Sequence, residues 1–206
     1  GNSLKRLNLS QNKSLNSLNS SNNPSLKCIQ VADVDAASKW TTTKDAATSF
    51  NLDCETFTLI PDSNFENTLI SLGIDKDGKN GKVKTASITK VTSLNLESSN
   101  ISDLTGIEDF ISLTHLMCNY NTISNINVAN NKLLMGLELY DNNITNLDVS
   151  KNTKLLNLTI GKNQISNIDL SHNIVLRSII VNDNLLTNLD LTTNTALTII
   201  DCSQNN

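Results

Sequence analysis

The residues with the clearest potential for chemistry in this 206-residue chain lie in Asp75-Lys76-Asp77-Gly78-Lys79-Asn80-Gly81. Oxygen-bearing side chains at alternating positions, followed by glycines that allow a sharp turn, partly match a calcium loop, since Ca²⁺ takes roughly six to eight hard oxygen ligands. Asp75, Asp77 and Asn80 would be the ligands. Two lysines stand inside the run, and no glutamate follows at the distance where it would close the shell with both oxygens. These features favour a plain glycine-rich turn.

Other reactive residue types are sparser. Ser87-xx-Lys90 matches the first element of a serine-acylating site, but its companion motifs are absent. His115 and His172 are the two histidines, with no second ligand at metal spacing around either. Asp148, Asp169 and Asp190 recur every 21 residues beside Asn125, Asn146, Asn167 and Asn188. Such columns could hold cations or sugar hydroxyls, or could be turn chemistry in which Asp and Asn bond to neighbouring backbone, the preferred reading. No phosphate-binding glycine loop and no nucleophile with a base is present. The enzyme class has no candidate, and no cofactor is implied.

What positions these residues is a repeat. From Ser112 to Thr195 one pattern recurs every 21 residues: Leu113-xx-Leu116-x-Cys118-xx-Asn121, Leu134-xx-Leu137-x-Leu139-xx-Asn142, Leu155-xx-Leu158-x-Ile160-xx-Asn163 and Leu176-xx-Ile179-x-Val181-xx-Asn184. Leu197-xx-Ile200-x-Cys202-xx-Asn205 begins a fifth copy that breaks off. The spacing places alternate side chains on one side of a short strand, so the apolar positions face inward. One coil cannot bury that strip alone, but a second coil stacked about 4.8 Å away can. Asn121, Asn142, Asn163, Asn184 and Asn205 close the units where the chain turns inward, and their amides can satisfy backbone groups there. The second half of each coil repeats the rule, as in Ile165-xx-Ile168-x-Leu170-xx-Asn173. A half-turn of about ten residues has no room for a three-turn helix, so extended or 3₁₀ segments are expected.

This pattern resembles the leucine-rich repeat. More narrowly, the short coil with Asn-Ile-Asp-Leu-Ser at residues 167–171 is similar to exported leucine-rich-repeat proteins of Bacteroidetes-type bacteria. Leu94-x-Leu96 reaches Asn100 with one extra residue and continues Ile101-xx-Leu104-xx-Ile107-xx-Phe110, a 22-residue coil that resembles internalin-like spacing. The resemblance implies a strand-dominated solenoid of the α/β class with a parallel sheet and little helix, built as two short arrays joined by a capping segment.

In chain order, residues 1–31 read as the C-terminal part of a first array with an 11-residue period, and 32–58 as its cap. Residues 59–90 read as the helical N-terminal cap of a second array at 91–206. Ser63-xx-Glu66 is a capping box opening a helix to about Leu72, with Phe65, Leu69 and Leu72 on one face and Gly73 as its stop. Cys118 and Cys202 occupy inward repeat positions and are expected to be buried. Cys28-Ile29-Gln30-Val31, with Trp40 and Asp53-Cys54, is similar to the closing segment of arrays in the exported family, and that resemblance implies a disulfide between Cys28 and Cys54. The chain opens directly into repeat sequence and stops within one, as a piece of a longer protein would.

A formal net charge of −4 without a basic cluster argues against nucleic acid, and no apolar run near about 18 residues suggests membrane insertion. Aromatic content is 3% and Asn is about one residue in six, which suits a Leu/Ile core with Asn turns. The outward strand positions escape the consensus, and there Tyr120 and Tyr140, with His115, Met117, Glu138 and Asp141 around them, are the expected partner-binding residues. The resemblance implies a non-enzymatic, monomeric protein-interaction module, secreted or on a bacterial cell surface. The alternative is a carbohydrate-binding or purely structural stalk.

Overall fold

The computed structural model describes residues 2–52 and 54–206; Gly1 and Asp53, the latter half of the Asp53-Cys54 pair cited above, lie outside the described residues. The chain divides into two units, Gly1–Glu55 and Thr56–Asn206.

In the first unit, an 11-residue spacing sends successive apolar strips to alternate sides of a narrow coil. Its elements are β1 (Leu7–Asn8), β2 (Ser17–Asn19), β3 (Cys28–Gln30), α1 (Val34–Ser38), β4 (Thr41–Thr43) and β5 (Ser49–Asn51). β1, β3 and β5 form one parallel sheet, while β2 and β4 pair in a second. Leu26, Ile29, Val31 and Ala37 are buried between them, and Trp40 meets Phe50 edge-on at 5.6 Å. The segment read as a cap thus lengthens the stack by one strand on each side instead of folding over it. Its composition hid this, because Thr41, Thr42 and Thr43 are all exposed and gain strand character from pairing with β2, not from burial. Cys28 and Cys54 form a disulfide with a Cα–Cα distance of 5.7 Å.

The second unit starts with β6 (Phe57–Leu59), α2 (Ser63–Ser71), β7 (Lys82–Lys84) and α3 (Thr85–Ile88). The division falls before Thr56 and not after residue 58 because β6 pairs antiparallel with β7. Asp62, one residue before the expected cap, closes the N-terminus of α2: its Oδ1 accepts from the Asn64 and Phe65 amides at 2.8 and 3.0 Å. Glu66 does not reach back to complete a capping box; buried at 2% exposure, it accepts from the Asn80 and Gly81 amides, each at 2.6 Å. Phe65 and Leu69 face the core as expected, but Leu72 is the C-cap and is 49% exposed. Gly73 (φ +68°) takes the left-handed step that ends the helix.

This cap is joined to the first coil of the array at several points. Phe65 stacks on Phe110 at 6.2 Å, and Asp62 Oδ2 accepts from the Ser102 amide and hydroxyl and the Asp103 amide. Gly106 (φ +102°) lets the backbones approach, since a β-carbon there would lie 2.6 Å from Ile60 Cδ1 and collide with the Leu59 carbonyl.

The array itself is one six-stranded parallel sheet: β8 (Ser93–Asn95), β9 (His115–Met117), β10 (Gly136–Glu138), β11 (Asn157–Thr159), β12 (Ser178–Ile180) and β13 (Ile199–Asp201), each paired with its sequence neighbour. Leu94 pairs with Leu116 across 22 residues, and Leu116, Leu137, Leu158, Ile179 and Ile200 follow at 21. From Leu113 to Val181 the inward positions of the strand halves are no more than 1% exposed, and Ile126, Leu147 and Ile168 of the return halves are 4 to 8% exposed. The return halves hold one 3₁₀ turn, Ile107–Asp109, and no α-helix among the described residues. Ile200 (51% exposed) and Cys202 depart from the expectation of burial. Their positions face inward, but among the described residues no coil stacks on β13.

Candidate functional site

The outward face of the sheet is shaped by a backbone feature at the end of each strand. Tyr120, Asp141, Lys162 and Asp183 all have left-handed φ, between 49° and 57°. Such a conformation costs a non-glycine residue on the order of 1 kcal/mol. Each one turns the following asparagine into the core, where hydrogen bonds offset the strain. Asn142 Nδ2 donates to the Leu139 and Cys118 carbonyls at 3.0 Å, linking two coils, while its Oδ1 accepts from the Ile123 amide at 3.0 Å. Asn121, Asn163 and Asn184 make equivalent bonds.

That turn places Tyr120 and Tyr140 side by side. Their rings meet edge to face, with centroids 5.8 Å apart at 72°, and Tyr120 is 51% exposed. Asn119 stiffens the patch from below: its Nδ2 donates to Glu138 Oε2 at 2.8 Å, and its Oδ1 accepts from the Tyr140 amide at 2.9 Å. Lys162 Nζ stands 5.4 Å from the Tyr140 ring centre. Hydrogen bonding to Tyr140, followed by the charges of Tyr140, Asp141 and Asp183, holds its ammonium above the ordinary lysine value.

Of the residues expected from the sequence, the structure brings Tyr120, Tyr140, Glu138 and Asp141 into this cluster, and Met117 lies opposite Glu138 in the register. His115 stands at the other end of β9, over Gly136, where a β-carbon would come within 2.9 Å of its ring. Asn119, Gly161 and Lys162 were not foreseen as part of the site. The signal for Gly161 was present, since Gly136 and Gly161 are the two glycines of the 21-residue coils and each follows an aromatic ring by 21 residues.

Most of the remaining candidate oxygens bond within the chain, while Asp75 Oδ2 is buried without a hydrogen-bond partner. In the Asp75–Gly81 turn, Asp75 Oδ1 accepts from the Asp77 amide at 3.0 Å, Asp77 lies 3.6 Å from Lys84 Nζ, and Glu66 holds the Asn80 and Gly81 amides. Among the described residues, no group of three or more His, Cys, Asp or Glu is arranged to hold a metal ion. Asp148, Asp169 and Asp190 each accept the amide two residues on, from Ser150, Ser171 and Thr192 at 2.8 to 2.9 Å. Those bonds are the main reason their carboxyls sit below the ordinary range. Ser87 and Lys90 are exposed, and His172 is exposed beside the Ser171 hydroxyl. Burial, and secondarily the Glu138 charge, pushes the Cys118 thiol up, which leaves it inert.

No family model matches the sequence, and no curated protein matches it. Solved structures do. An internalin (inlF) from Listeria monocytogenes str. 4b F2365 is similar with a TM-score of 0.67 at 22% identity, over 71% of this chain and 44% of that one. The APL1 leucine-rich repeat domain is similar at 0.56 and 18% identity, over 92% and 45%. The LRIM1/APL1C complex contains a similar chain at 0.54 and 24% identity, over 58% and 24%. The chain thus spans less than half the length of each. The shared feature is the fold, and the fold is a leucine-rich-repeat solenoid.

Proposed function

With a leucine-rich-repeat solenoid as the scaffold, we propose that the chain is a non-enzymatic module that binds a protein partner through the outward face of the β8–β13 sheet, centred on Tyr120 and Tyr140. The observation that carries this reading is the edge-to-face tyrosine pair, half exposed and held from below by Asn119. Tyrosines fixed in place offer large contact area at small entropic cost, which is why they recur as interface anchors. Glu138 is bonded to Asn119 beside the pair, and Lys162 stands over Tyr140 under the charges of Asp141 and Asp183, so the patch has the polar rim that interfaces use. One of the similar structures, LRIM1/APL1C, is itself a protein complex.

The setting we propose is the surface of a bacterial cell or its exterior. The Cys28–Cys54 disulfide supports an oxidising compartment, the internalin likeness suits a bacterial surface protein, and among the described residues no helix is long and apolar enough to cross a membrane. The test is a double substitution, Tyr120→Ser with Tyr140→Ser. Its melting temperature should stay close to that of the unaltered chain while capture of the protein ligand pulled from host or bacterial surface extracts is lost. Undiminished capture of the same ligand would refute the assignment, and a chain that captures nothing beforehand would favour the structural spacer.

A further inference from the structure

The same array has a second surface whose chemistry differs from the sheet face. The chain reaches β10, β11, β12 and β13 through residues 129–135, 150–156, 171–177 and 192–198, one segment per coil along one flank. Leu133, Met135, Ile174 and Val175 on these segments are 37 to 59% exposed. Met135, Leu156, Ile174, Val175 and Ala196, drawn from four successive segments, line a groove of about 440 Å³. Contiguous apolar exposure of this kind marks an interaction site more often than chance scatter.

Charge decides what the groove would accept. Every Asp and Glu of residues 113–206 lies outside the four segments, while Lys132, Lys151, Lys154 and Arg177 lie inside them. This segregation occurs in a chain with a net charge of −4. Lys154 and Arg177 border the groove itself, and among the described residues neither is in a salt bridge.

We propose that this flank is a docking groove for an acidic amphipathic helix of another protein, with aliphatic side chains entering the groove and carboxylates meeting Lys154 and Arg177. Apolar side chains that line a depression suit inserted side chains better than a flat lipid surface, which projecting residues would penetrate. Helical side chains three and four residues apart are about 5 to 6 Å apart, close to the coil spacing of about 4.8 Å. Alternate residues of an extended strand, about 6.7 Å apart, lose step with the coils sooner. None of these residues belongs to the tyrosine patch, so the two sites stand or fall separately.

The experiment selects short random peptides on the intact chain and measures binding of those recovered. They should be rich in Asp and Glu, with Leu, Ile, Val or Met at helical spacing, and should bind less tightly as salt rises. Lys154→Glu with Arg177→Glu should weaken them by about tenfold or more, and Ile174→Ser with Val175→Ser should do likewise, both with melting temperatures retained because the four residues are solvent-facing. The Tyr120→Ser, Tyr140→Ser chain should bind them normally. Recovery of peptides without acidic and aliphatic enrichment, or equal binding by the flank variants, overturns the proposal. So does binding to phosphatidylserine-containing vesicles without peptide selection, which would make the flank a lipid surface. Self-association abolished by Ile174→Ser with Val175→Ser would make the occupant a second copy and overturn it as well.

Discussion

Gly161 lies beneath the ring of Tyr140. The register that pairs Glu138 with Thr159 continues by two residues to set them opposite each other in adjacent coils, and a β-carbon on Gly161 would come within 2.9 Å of Tyr140 Cε2. The same β-carbon would collide with Asn182 Oδ1 from the next coil. A glycine just past the end of β11 thus gives Tyr140 room to lie toward Lys162 while keeping its edge-to-face contact with Tyr120.

Gly161→Ala should therefore move the Tyr140 ring and break the tyrosine pair at a small stability cost of about 1 kcal/mol, since the neighbours that must yield are side-chain ends. Ring-proton chemical shifts of the two tyrosines report the pairing directly. Unchanged shifts would show that the glycine does not seat the ring.

Leu158 is fully buried between coils, so Leu158→Ala should cost about 2 to 5 kcal/mol in denaturant unfolding. Asn163→Ala should cost about 1 to 3 kcal/mol, because it strands the Ile144 amide and takes one of two side-chain donors from each of the Leu139 and Ile160 carbonyls, which keep Asn142 and Asn184. Near-neutral values for both would mean that the coils do not stack as described.

Thiol labelling should separate the four cysteines. Unfolded, unreduced protein that has never met reductant should show two free thiols, from Cys118 and Cys202, and native protein should react promptly at Cys202 alone, since Cys118 is buried. Four thiols would rule out the disulfide. Reducing the bond, whose cysteines are 26 residues apart, should cost the first unit about 3 kcal/mol in the chain-entropy account.

Asp62 links α2 to the first coil, and its protonation should loosen that junction. Burial raises its pKa, but hydrogen bonds from Ser102, Phe65 and Asp103 outweigh burial and leave it below the ordinary 3.8. A lowered carboxyl contributes stability that is present above its unfolded-state pKa and is lost as pH falls through the folded-state value. Melting of the intact chain should therefore show an acid-side loss below about pH 4 that is smaller in Asp62→Asn, whose amide nitrogen cannot accept from Ser102 and Asp103. Parallel pH curves for the two proteins would place the acid sensitivity elsewhere, for example at Asp148, Asp169 and Asp190.

The repeat was legible because a solenoid is specified locally. Each Leu-xx-Leu-x-Leu strip needs only the next coil, 21 residues away, so period and phase suffice to assign Leu113 through Val181 to the core and the closing asparagines to the turns. That Tyr120 and Tyr140 stand on adjacent coils followed from the same arithmetic. What the sequence alone could not decide were features set by a neighbour outside the repeat rule. Thr41–Thr43 became a strand because β2 offered it a partner, not because of its own composition. Asp62 displaced Ser63 as the cap while Glu66 turned to the Asn80 and Gly81 amides, a choice made by residues 14 and 15 positions further on. Cys202 and Ile200 have the inward phase yet stay exposed, since burial in a stack belongs to the covering coil and not to the residue. Even the glycine beneath Tyr140 acquires its role only when two coils lie side by side, because steric room is a property of packed neighbours and no single coil contains both sides of it.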